Sequence, residues 1–404
     1  MSTNKVSKTG IVNSFVISFC FFLCLLATGQ TTYQVSDESL FSPKEFYPEF
    51  SWNTTPMYYM FGDGNKVLDP HEVEHIAKRT NFICIEKSHG LRQLGAAELG
   101  TKHEVEAFKK INPKTKVLFY FNSAYAWPFT SYNKMFTKNS IDKYPELKKF
   151  LIIDPETNEL AHRRNTLFFD VLNPDFREWW VNTVATGVEE SGTDGVFIDQ
   201  MHGFVWLRKD KALEVQKAMG DMMTALKKAI GPDKILLGNN AHDANSKYVF
   251  PAVDAIMFEH YAEKLLSKES LLQDWDNMLR IAKAGKISVF RIGVEADPFD
   301  VKDEDFYKGS SRNEKYAKLS EKRLEYYHAC YLIGAQPYSY FQYGWGWQVA
   351  SGSLMNYPEL QKPLGQPKGS YQRTSNDAWE FTRDFEHASV WVNTEKGEAK
   401  ISWH

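Results

Sequence analysis

The chain contains few cysteines for its length. Four occur in 404 residues, and two of them, Cys20 and Cys24, lie in an apolar N-terminal run. Disulfide-stabilised secreted domains need several bridges, which Cys84 and Cys330 alone cannot supply. Their apolar surroundings favour two buried thiols, with one disulfide between them as the alternative. A hydrophobic core is therefore expected to hold the fold together.

Positive charge and phosphate-binding turns are scarce as well. The formal net charge is −3, whereas nucleic-acid-binding proteins usually present a basic face. No Gly-rich turn follows the first strand-like segment, which argues against a dinucleotide-binding open sheet. Aromatic residues, in contrast, make up 15% of the chain, and aromatic faces can stack on the C–H faces of sugar rings. The composition thus fits saccharide binding and gives no sign of a nucleic-acid partner.

Residues 1–29 have the pattern of an export signal. Lys5 and Lys8 precede an apolar run over residues 11–27, and the small residues Ala27 and Gly29 stand where a signal peptidase reads the chain. An uncleaved membrane anchor is the alternative, because about 17 apolar residues is near the lower limit for a span. The pattern predicts cleavage after Gly29 and a secreted or periplasmic protein that does not remain at the membrane.

Residues 30–380 alternate between short apolar strands and helical segments. Eight strand signals occur, and they are apolar throughout rather than alternating in polarity, as in a parallel sheet covered on both faces. These features predict the α/β class and a (β/α)8 TIM barrel, with an open doubly wound sheet as the rival. Residues 123–170 are predicted to form an active-site loop. Residues 381–404 are predicted to form a small C-terminal β-hairpin extension packed beside the barrel.

Polar residues end each predicted strand from the second onward, where a barrel carries its chemistry. Two of them are acids: Asp199 ends the segment Gly195–Asp199, and Glu259 follows the apolar residues 256–258. Cleaving a glycosidic bond requires one carboxyl group that protonates the leaving oxygen and a second that attacks the sugar. Their environments must differ. The pattern predicts Asp199 as nucleophile and Glu259 as acid/base; exchanged roles, or Glu295 in place of Glu259, remain open.

Further residues near the strand ends are candidates for substrate binding. Hydroxyl or sulfate groups would be bound by His202, Asn240, His242 and His260, and the other candidates for contact with the substrate are Asn122, Tyr261, Arg291 and Glu295. His162 and Arg163 would clamp an anionic substituent, with a solvated basic turn as the alternative. Stacking platforms, or alternatively buried loop anchors, are predicted at Trp127, Trp345 and Trp347. A metal site formed by His202, His242, His260 and Asp243 competes with these roles. Because they include no closely spaced histidine pair, no metal or other cofactor is predicted.

Two segments resemble a known group of proteins. Residues 169–180, followed by Gly195–Asp199, look like barrel-type glycosidases that were catalogued as glycoside hydrolases from sequence, and residues 383–393 are similar to theirs as well. Within that group, the size, the export signal and the placement of Asp199 and Glu259 look most like retaining endo-acting fucanases that cleave sulfated fucan. The resemblance implies a polysaccharide partner that can be sulfated, with the same roles for Asp199 and Glu259. A glycosidase for a neutral or uronic polysaccharide and a catalytically inactive carbohydrate-binding barrel are the alternatives.

Overall fold

The computed structural model describes residues 41–243, 246–260, 266–296 and 312–404. The predicted signal peptide and Tyr261 lie outside the described residues. Within the described ranges, no helix combines the length and the apolar character that a membrane span requires.

The fold is built around eight parallel strands in the order β1-β2-β3-β6-β7-β8-β9-β10. Their bounds are β1 Tyr59–Phe61, β2 Phe82–Ile85, β3 Lys116–Asn122, β6 Gly195–Asp199, β7 Ile235–Asn239, β8 Ala255–Glu259, β9 Ile287–Ile292 and β10 Ser339–Tyr343. The two ends of this sheet meet, since Tyr58 N–H donates to the carbonyl of Phe341 at 2.9 Å and Phe341 N–H donates to that of Pro56 at 2.8 Å. The prediction of a (β/α)8 barrel is confirmed, and the open sheet is excluded.

Helices cover the outside of this barrel. Their bounds are α1 Pro70–Ala77, α2 Leu91–Leu94, α3 Ala97–Ile111, α4 Pro174–Ser191, α5 Ala212–Ile230, α6 Lys268–Lys283 and α7 Arg312–Gly334. The start of α4 shows how the sequence sets such an element: the Asn173 side chain accepts from two backbone N–H groups of the first turn, and Pro174 is the first helical residue. The helix ends at Ser191 and is capped by Gly192, whose φ of 68° few other residues adopt readily.

The barrel interior is filled by alternate strand residues. Tyr120, Phe197, Leu237, Met257 and Val289 belong to one buried cluster inside the ring, while the intervening residues pack against the helices. Because strand side chains alternate, the residue two positions after each of these also points inward. The two cysteines of the described ranges are free and buried, which confirms the prediction of buried thiols.

Residues 123–170 form the long excursion between β3 and α4. They contain two 3-10 helices, Ile141–Lys143 and Pro145–Phe150, and a short hairpin of β4 His162–Arg163 with β5 Thr166–Leu167. A separate small cluster beneath this excursion contains Ala124, Ile152, Ala161, Phe168 and Phe204. The excursion therefore has a packed interior, which it shares with Phe204 of the loop after β6.

The C-terminal extension is a four-stranded antiparallel sheet. Its strands are β11 Gln372–Arg373, β12 Glu380–Asp384, β13 Ala388–Asn393 and β14 Glu398–Trp403. The predicted hairpin is β13 with β14, and the sheet adds two strands that begin before residue 381. The buried guanidinium of Arg383 donates to the carbonyl groups of Leu332, Ile333 and Ala335 at the end of α7. This contact ties the sheet to the barrel.

Candidate active site

One polar side chain points inward at the C-terminal end of each barrel strand from β2 onward. Each lies two residues beyond an apolar residue of the interior cluster. The set is Glu86, Asn122, Asp199, Asn239, Glu259, Arg291 and Gln342. Neighbouring strands place Asn122 beside Asp199 and Glu259 beside Arg291. The inward-facing residues are thus apolar inside the barrel and polar at the C-terminal ends of the strands, which is the face where barrel enzymes act.

Asp199 is held by four hydrogen-bond donors. Its Oδ2 accepts from the Tyr120 hydroxyl at 2.7 Å and from Asn122 Nδ2 at 3.2 Å. Its Oδ1 accepts from the backbone N–H of Gln200 at 2.8 Å and from Asn239 Nδ2 at 3.0 Å. Because each oxygen accepts two hydrogen bonds, the plane of the Asp199 carboxylate is fixed and its oxygens keep a constant orientation in the site.

A single amide group joins the two predicted catalytic acids. Asn239 Nδ2 lies 3.0 Å from Asp199 Oδ1 and 2.5 Å from Glu259 Oε2. These two oxygens are therefore no more than about 5.5 Å apart, a limit that is compatible with the roughly 5–5.5 Å of retaining glycosidases and shorter than the roughly 6.5–9.5 Å of inverting ones. The Asn240 side chain accepts from Glu259 N–H at 3.0 Å and so supports the backbone that carries this acid. The structure brings Asp199 and Glu259 to one site.

The electrostatic environment of Glu259 suits a proton donor. Burial, followed by the negative charge of Asp199, raises the pKa of Glu259 to about 7, although the Asn239 hydrogen bond and the cations of Arg291 and Lys87 act in the opposite direction. An acid with that pKa is partly protonated at neutral pH, as a general acid must be.

Two cations flank the pair, and each has its own acidic partner. Lys87 forms an ion pair with Glu86, and its ammonium lies 5.2 Å from the centre of the Tyr120 ring. Burial lowers the pKa of Lys87, but the carboxylates of Glu86, Asp199 and Glu259 together outweigh burial and raise it. The ammonium therefore remains charged beside the acids.

Arg291 is the second cation, and only 1% of it is exposed. Its guanidinium lies 2.7 Å from Glu295 Oε1 and donates to the backbone carbonyl of His260. The same carboxylate oxygen accepts from Gly346 N–H at 3.2 Å. Since Glu295 is engaged in this way, while Glu259 shares the Asn239 amide with Asp199, the contacts favour Glu259 over Glu295 as the partner of Asp199.

The comparison with protein families agrees with this geometry. A model described as hypothetical glycosyl hydrolase family 15 matches residues 109–389, more than half of the chain. The chain belongs to this family. The matched range contains both acids and the four residues that donate hydrogen bonds to the Asp199 carboxylate.

Solved structures give a weaker likeness, and curated proteins give none. The glycoside hydrolase domain of PelA from Pseudomonas aeruginosa is 12% identical, with 67% of this chain and 90% of that chain covered and a TM-score of 0.43. A noncanonic maltogenic α-amylase, AmyB from Thermotoga neapolitana, is 14% identical over 85% and 86%, with a TM-score of 0.48. The α-galactosidase TtGalA from Thermus thermophilus is 14% identical over 87% and 68%, with a TM-score of 0.45. No curated protein matches this chain.

Three of the four predicted histidines of this hypothetical glycosyl hydrolase family 15 member each lie in a different setting. His260 Nε2 is 2.7 Å from Asp274 Oδ2. The ring of His242 lies against Phe258, with 4.4 Å between ring centres. His202 stands in the loop after β6 and is half-buried. No group of three or more His, Cys, Asp or Glu side chains in the described ranges is arranged to hold a metal ion.

The predicted tryptophan platforms differ in exposure. Trp347 is half-buried and has the Arg291 guanidinium 4.6 Å from its ring centre. Trp127 is half-buried between Tyr125 and Phe129, with ring centres 5.1 and 5.7 Å away. Trp345 is only 5% exposed, and its indole N–H donates to Asn313 at 2.8 Å. Its ring is covered, so in this structure Trp345 is a buried loop anchor and presents no face for stacking.

The predicted anion clamp lies on the exposed hairpin of β4 and β5. His162 and Arg163 are both exposed. His162 Nε2 lies 2.9 Å from Lys138 Nζ, so a second cation adjoins the hairpin. The hairpin is next to the segment that follows β3, because Ala126 N–H donates to the carbonyl of Leu167.

Several residues of the site had no predicted role. Tyr120 is the clearest, since it lies two residues before Asn122 and therefore on the same inward face of β3. Strand alternation alone contains that signal. The bridging role of Asn239 could not be predicted in this way, because it depends on the distance between β6 and β8 across the intervening strand.

We expect Lys87→Met to move the alkaline limb of the kcat/KM profile to higher pH, by up to about one pH unit. The Lys87 cation lowers the pKa of Glu259, so removing it leaves Glu259 protonated to higher pH. Rate measurements across the pH range test this, with Lys87→Arg as the charge-preserving control. If the alkaline limb lies at the same pH in Lys87→Met and wild type, Glu259 is not the group whose protonation controls the rate.

Proposed function

We propose that this protein cleaves internal glycosidic bonds of a polysaccharide by a retaining double displacement. Asp199 attacks the anomeric carbon and forms a glycosyl ester, while Glu259 gives its proton to the leaving oxygen. Glu259, now ionised, then takes a proton from water, which attacks the ester and releases the sugar with its original configuration. Asp199 returns as a carboxylate, so both acids recover their starting state.

The observation that carries the proposal is the amide of Asn239 between the two acids. A separation of no more than about 5.5 Å between the bonded oxygens leaves room for one sugar ring's anomeric centre and its leaving oxygen. Inverting enzymes keep their carboxyl groups about 6.5–9.5 Å apart, because a water molecule must fit beside the sugar. The shared donor therefore supports attack by Asp199 itself over attack by water.

The pKa of Glu259 gives a prediction for the pH dependence. Its value of about 7 means that the protonated fraction falls as the pH rises through neutrality. Since the first step consumes that proton, kcat/KM is expected to decline on the alkaline side with a midpoint near pH 7. A profile from weakly acidic to alkaline pH measures this; a rate that keeps rising well above pH 8 would argue against Glu259 as the acid.

The substrate that we propose is an α-linked, fucan-like polysaccharide that can carry sulfate. Two observations support it: the resemblance of the size, the export signal and the placement of Asp199 and Glu259 to endo-acting fucanases, and the exposed Lys138 and Arg163 around the β4–β5 hairpin. Both cations belong to the excursion that follows β3, and Lys138 Nζ lies 2.9 Å from His162 Nε2, next to Arg163 in the chain. Sulfate esters are compact anions, and guanidinium and ammonium groups are the usual partners of such groups.

A panel of polysaccharides tests the activity and the substrate together. Fucoidan fractions, alginate and a neutral α-glucan are incubated with the enzyme, and new reducing ends, product size and anomeric configuration are followed, the last by proton NMR. We expect a mixture of oligosaccharides from fucoidan with retained α configuration. Monosaccharide as the sole product would indicate an exo-acting enzyme, and cleavage of alginate or glucan alone would reassign the substrate.

The compartment also belongs to the proposal. The signal peptide over residues 1–29 stays a prediction, and secretion depends on it. N-terminal sequencing of protein exported by the native host is expected to begin at Gln30; a chain that keeps residues 1–29 would show that the segment is an anchor.

A further inference from the structure

The loop that follows Asp199 carries an exposed tryptophan. Trp206 lies seven residues after Asp199, in the short 3-10 helix Val205–Leu207. It is 55% exposed, whereas every other tryptophan of the chain is buried or half-buried. Indole has a large apolar surface that folding usually covers. Its exposure on the catalytic face therefore calls for an explanation.

The backbone beneath Trp206 is held in an unfavourable conformation. Gln200, Gly203 and Phe204 all have left-handed φ angles, of 63°, 53° and 56°. A bulky residue such as phenylalanine rarely adopts this region, and such strain persists mainly where function requires a particular geometry. The Phe204 ring is stacked on Phe168, with 4.1 Å between centres and 16° between planes, and meets Tyr125 edge-on at 4.8 Å.

The loop is also held by contacts on both sides of Phe204. A Cβ atom on Gly203 would lie 2.9 Å from Met219 Cε and 3.2 Å from Val215 Cγ1, so the loop is pressed against α5. Two residues after Trp206, Arg208 forms an ion pair with Asp170 at 2.9 Å. Trp206 is thus exposed on a rigid base, with its ring edge-on to Phe204 at 5.8 Å.

This base is connected to Asp199 through Tyr125 and Asn122. Asn122 donates to Asp199 Oδ2 through its amide nitrogen, and its amide oxygen accepts from Tyr125 N–H at 2.6 Å. Tyr125 in turn contacts the ring of Phe204. Seven residues of extended chain span at most about 25 Å, which limits the distance from Asp199 to Trp206 along the face of the barrel.

We infer that Trp206 is a stacking platform for a pyranose ring of the substrate chain, beyond the sugar that is bonded to Asp199. The inference depends on the proposed function, because it assigns a second sugar-binding position to the same polysaccharide. The C–H face of the ring packs on the exposed indole, while the hydroxyl groups around the ring edge stay in water. A platform outside the bond-breaking site contributes only to chains of several sugars, which is the requirement of an endo-acting enzyme.

Three variants of the full-length protein test the platform. Trp206→Ala removes the ring, Trp206→Phe keeps an aromatic face, and Leu213→Ala changes a residue that is 51% exposed on the neighbouring α5. Each is run in native gels that contain fucoidan, alginate or pullulan, and the apparent Kd is taken from the retardation. We expect about tenfold weaker binding for Trp206→Ala in the gel that retards wild type, near-normal binding for Trp206→Phe and no change for Leu213→Ala.

The inference is overturned if Trp206→Ala is retarded as strongly as wild type. It is also overturned if none of the three polymers retards the wild-type protein. Asp199→Asn in the same gels separates this outcome from a failure of the proposed function. We expect that variant to bind and not to turn over. If Asp199→Asn hydrolyses the polymer at the wild-type rate, the catalytic assignment fails, while the comparison of Trp206→Ala with Trp206→Phe still decides the platform.

Discussion

Asp199→Ala is expected to lower the turnover of any cleaved substrate by on the order of 10⁴-fold, because the proposed mechanism needs the Asp199 carboxylate to form the glycosyl ester. Azide added to this variant occupies the space left by the side chain and attacks the anomeric carbon once. The product is then a glycosyl azide of inverted configuration. Reducing-end assays and proton NMR measure both effects.

The control for Asp199→Ala is a second acid of the same loop. Asp210 is exposed, 11 residues further along the chain, and Asp210→Ala is expected to leave turnover unchanged. Thermal unfolding of both variants checks the fold, since Asp199 accepts four hydrogen bonds whose donors lose their partner in the alanine variant. Wild-type turnover in a folded Asp199→Ala protein would contradict the nucleophile assignment.

Glu259→Ala is expected to lower turnover by about 10²–10⁴-fold with a natural sugar leaving group, and by much less with an aryl leaving group that needs no proton. The alkaline limb near pH 7 should disappear, because the group that titrates there has been removed. Azide should again restore activity, now with retained configuration, since Asp199 still forms the ester and azide replaces water in the second step.

The matched control is Glu295→Gln, which changes the other acid near the site. Glu295 forms an ion pair with Arg291. Glu295→Gln is therefore expected to leave both the configuration of the azide product and the leaving-group dependence as in wild type. If Glu295→Gln shows the behaviour expected for Glu259→Ala, the acid/base is Glu295. If the two azide products appear with their configurations exchanged, Asp199 and Glu259 have each other's roles.

Much of the barrel could be predicted from residue patterns. The bounds of β6, Gly195–Asp199, and α5, Ala212–Ile230, agree with the apolar runs and helical periodicity of those segments. The hairpin of β4 and β5 was not predicted, because strands of two residues leave no periodic signal. The four-residue helix α2 was missed for the same reason.

The polar layer at the strand ends was more predictable than the contacts around it. Strand alternation points Asp199 and Glu259 inward, so the two acids can be recognised one strand at a time. The role of Asn239 depends on three strands lying at a fixed spacing, and the burial of Trp345 depends on how its loop folds back. Neither the strand spacing nor the path of that loop can be predicted from a local sequence pattern. The rim residues could therefore be proposed from the sequence, but their partners could not.

The nucleophile can be identified most directly by trapping its ester. Glu259→Gln is incubated with a glycosyl fluoride of the sugar that wild type cleaves, because fluoride leaves without a proton and the variant cannot activate water to release the product. The protein is then denatured, digested and analysed by mass spectrometry. We predict one added glycosyl residue on the peptide that contains Asp199, linked through its carboxylate. An adduct on any other side chain would contradict the central claim.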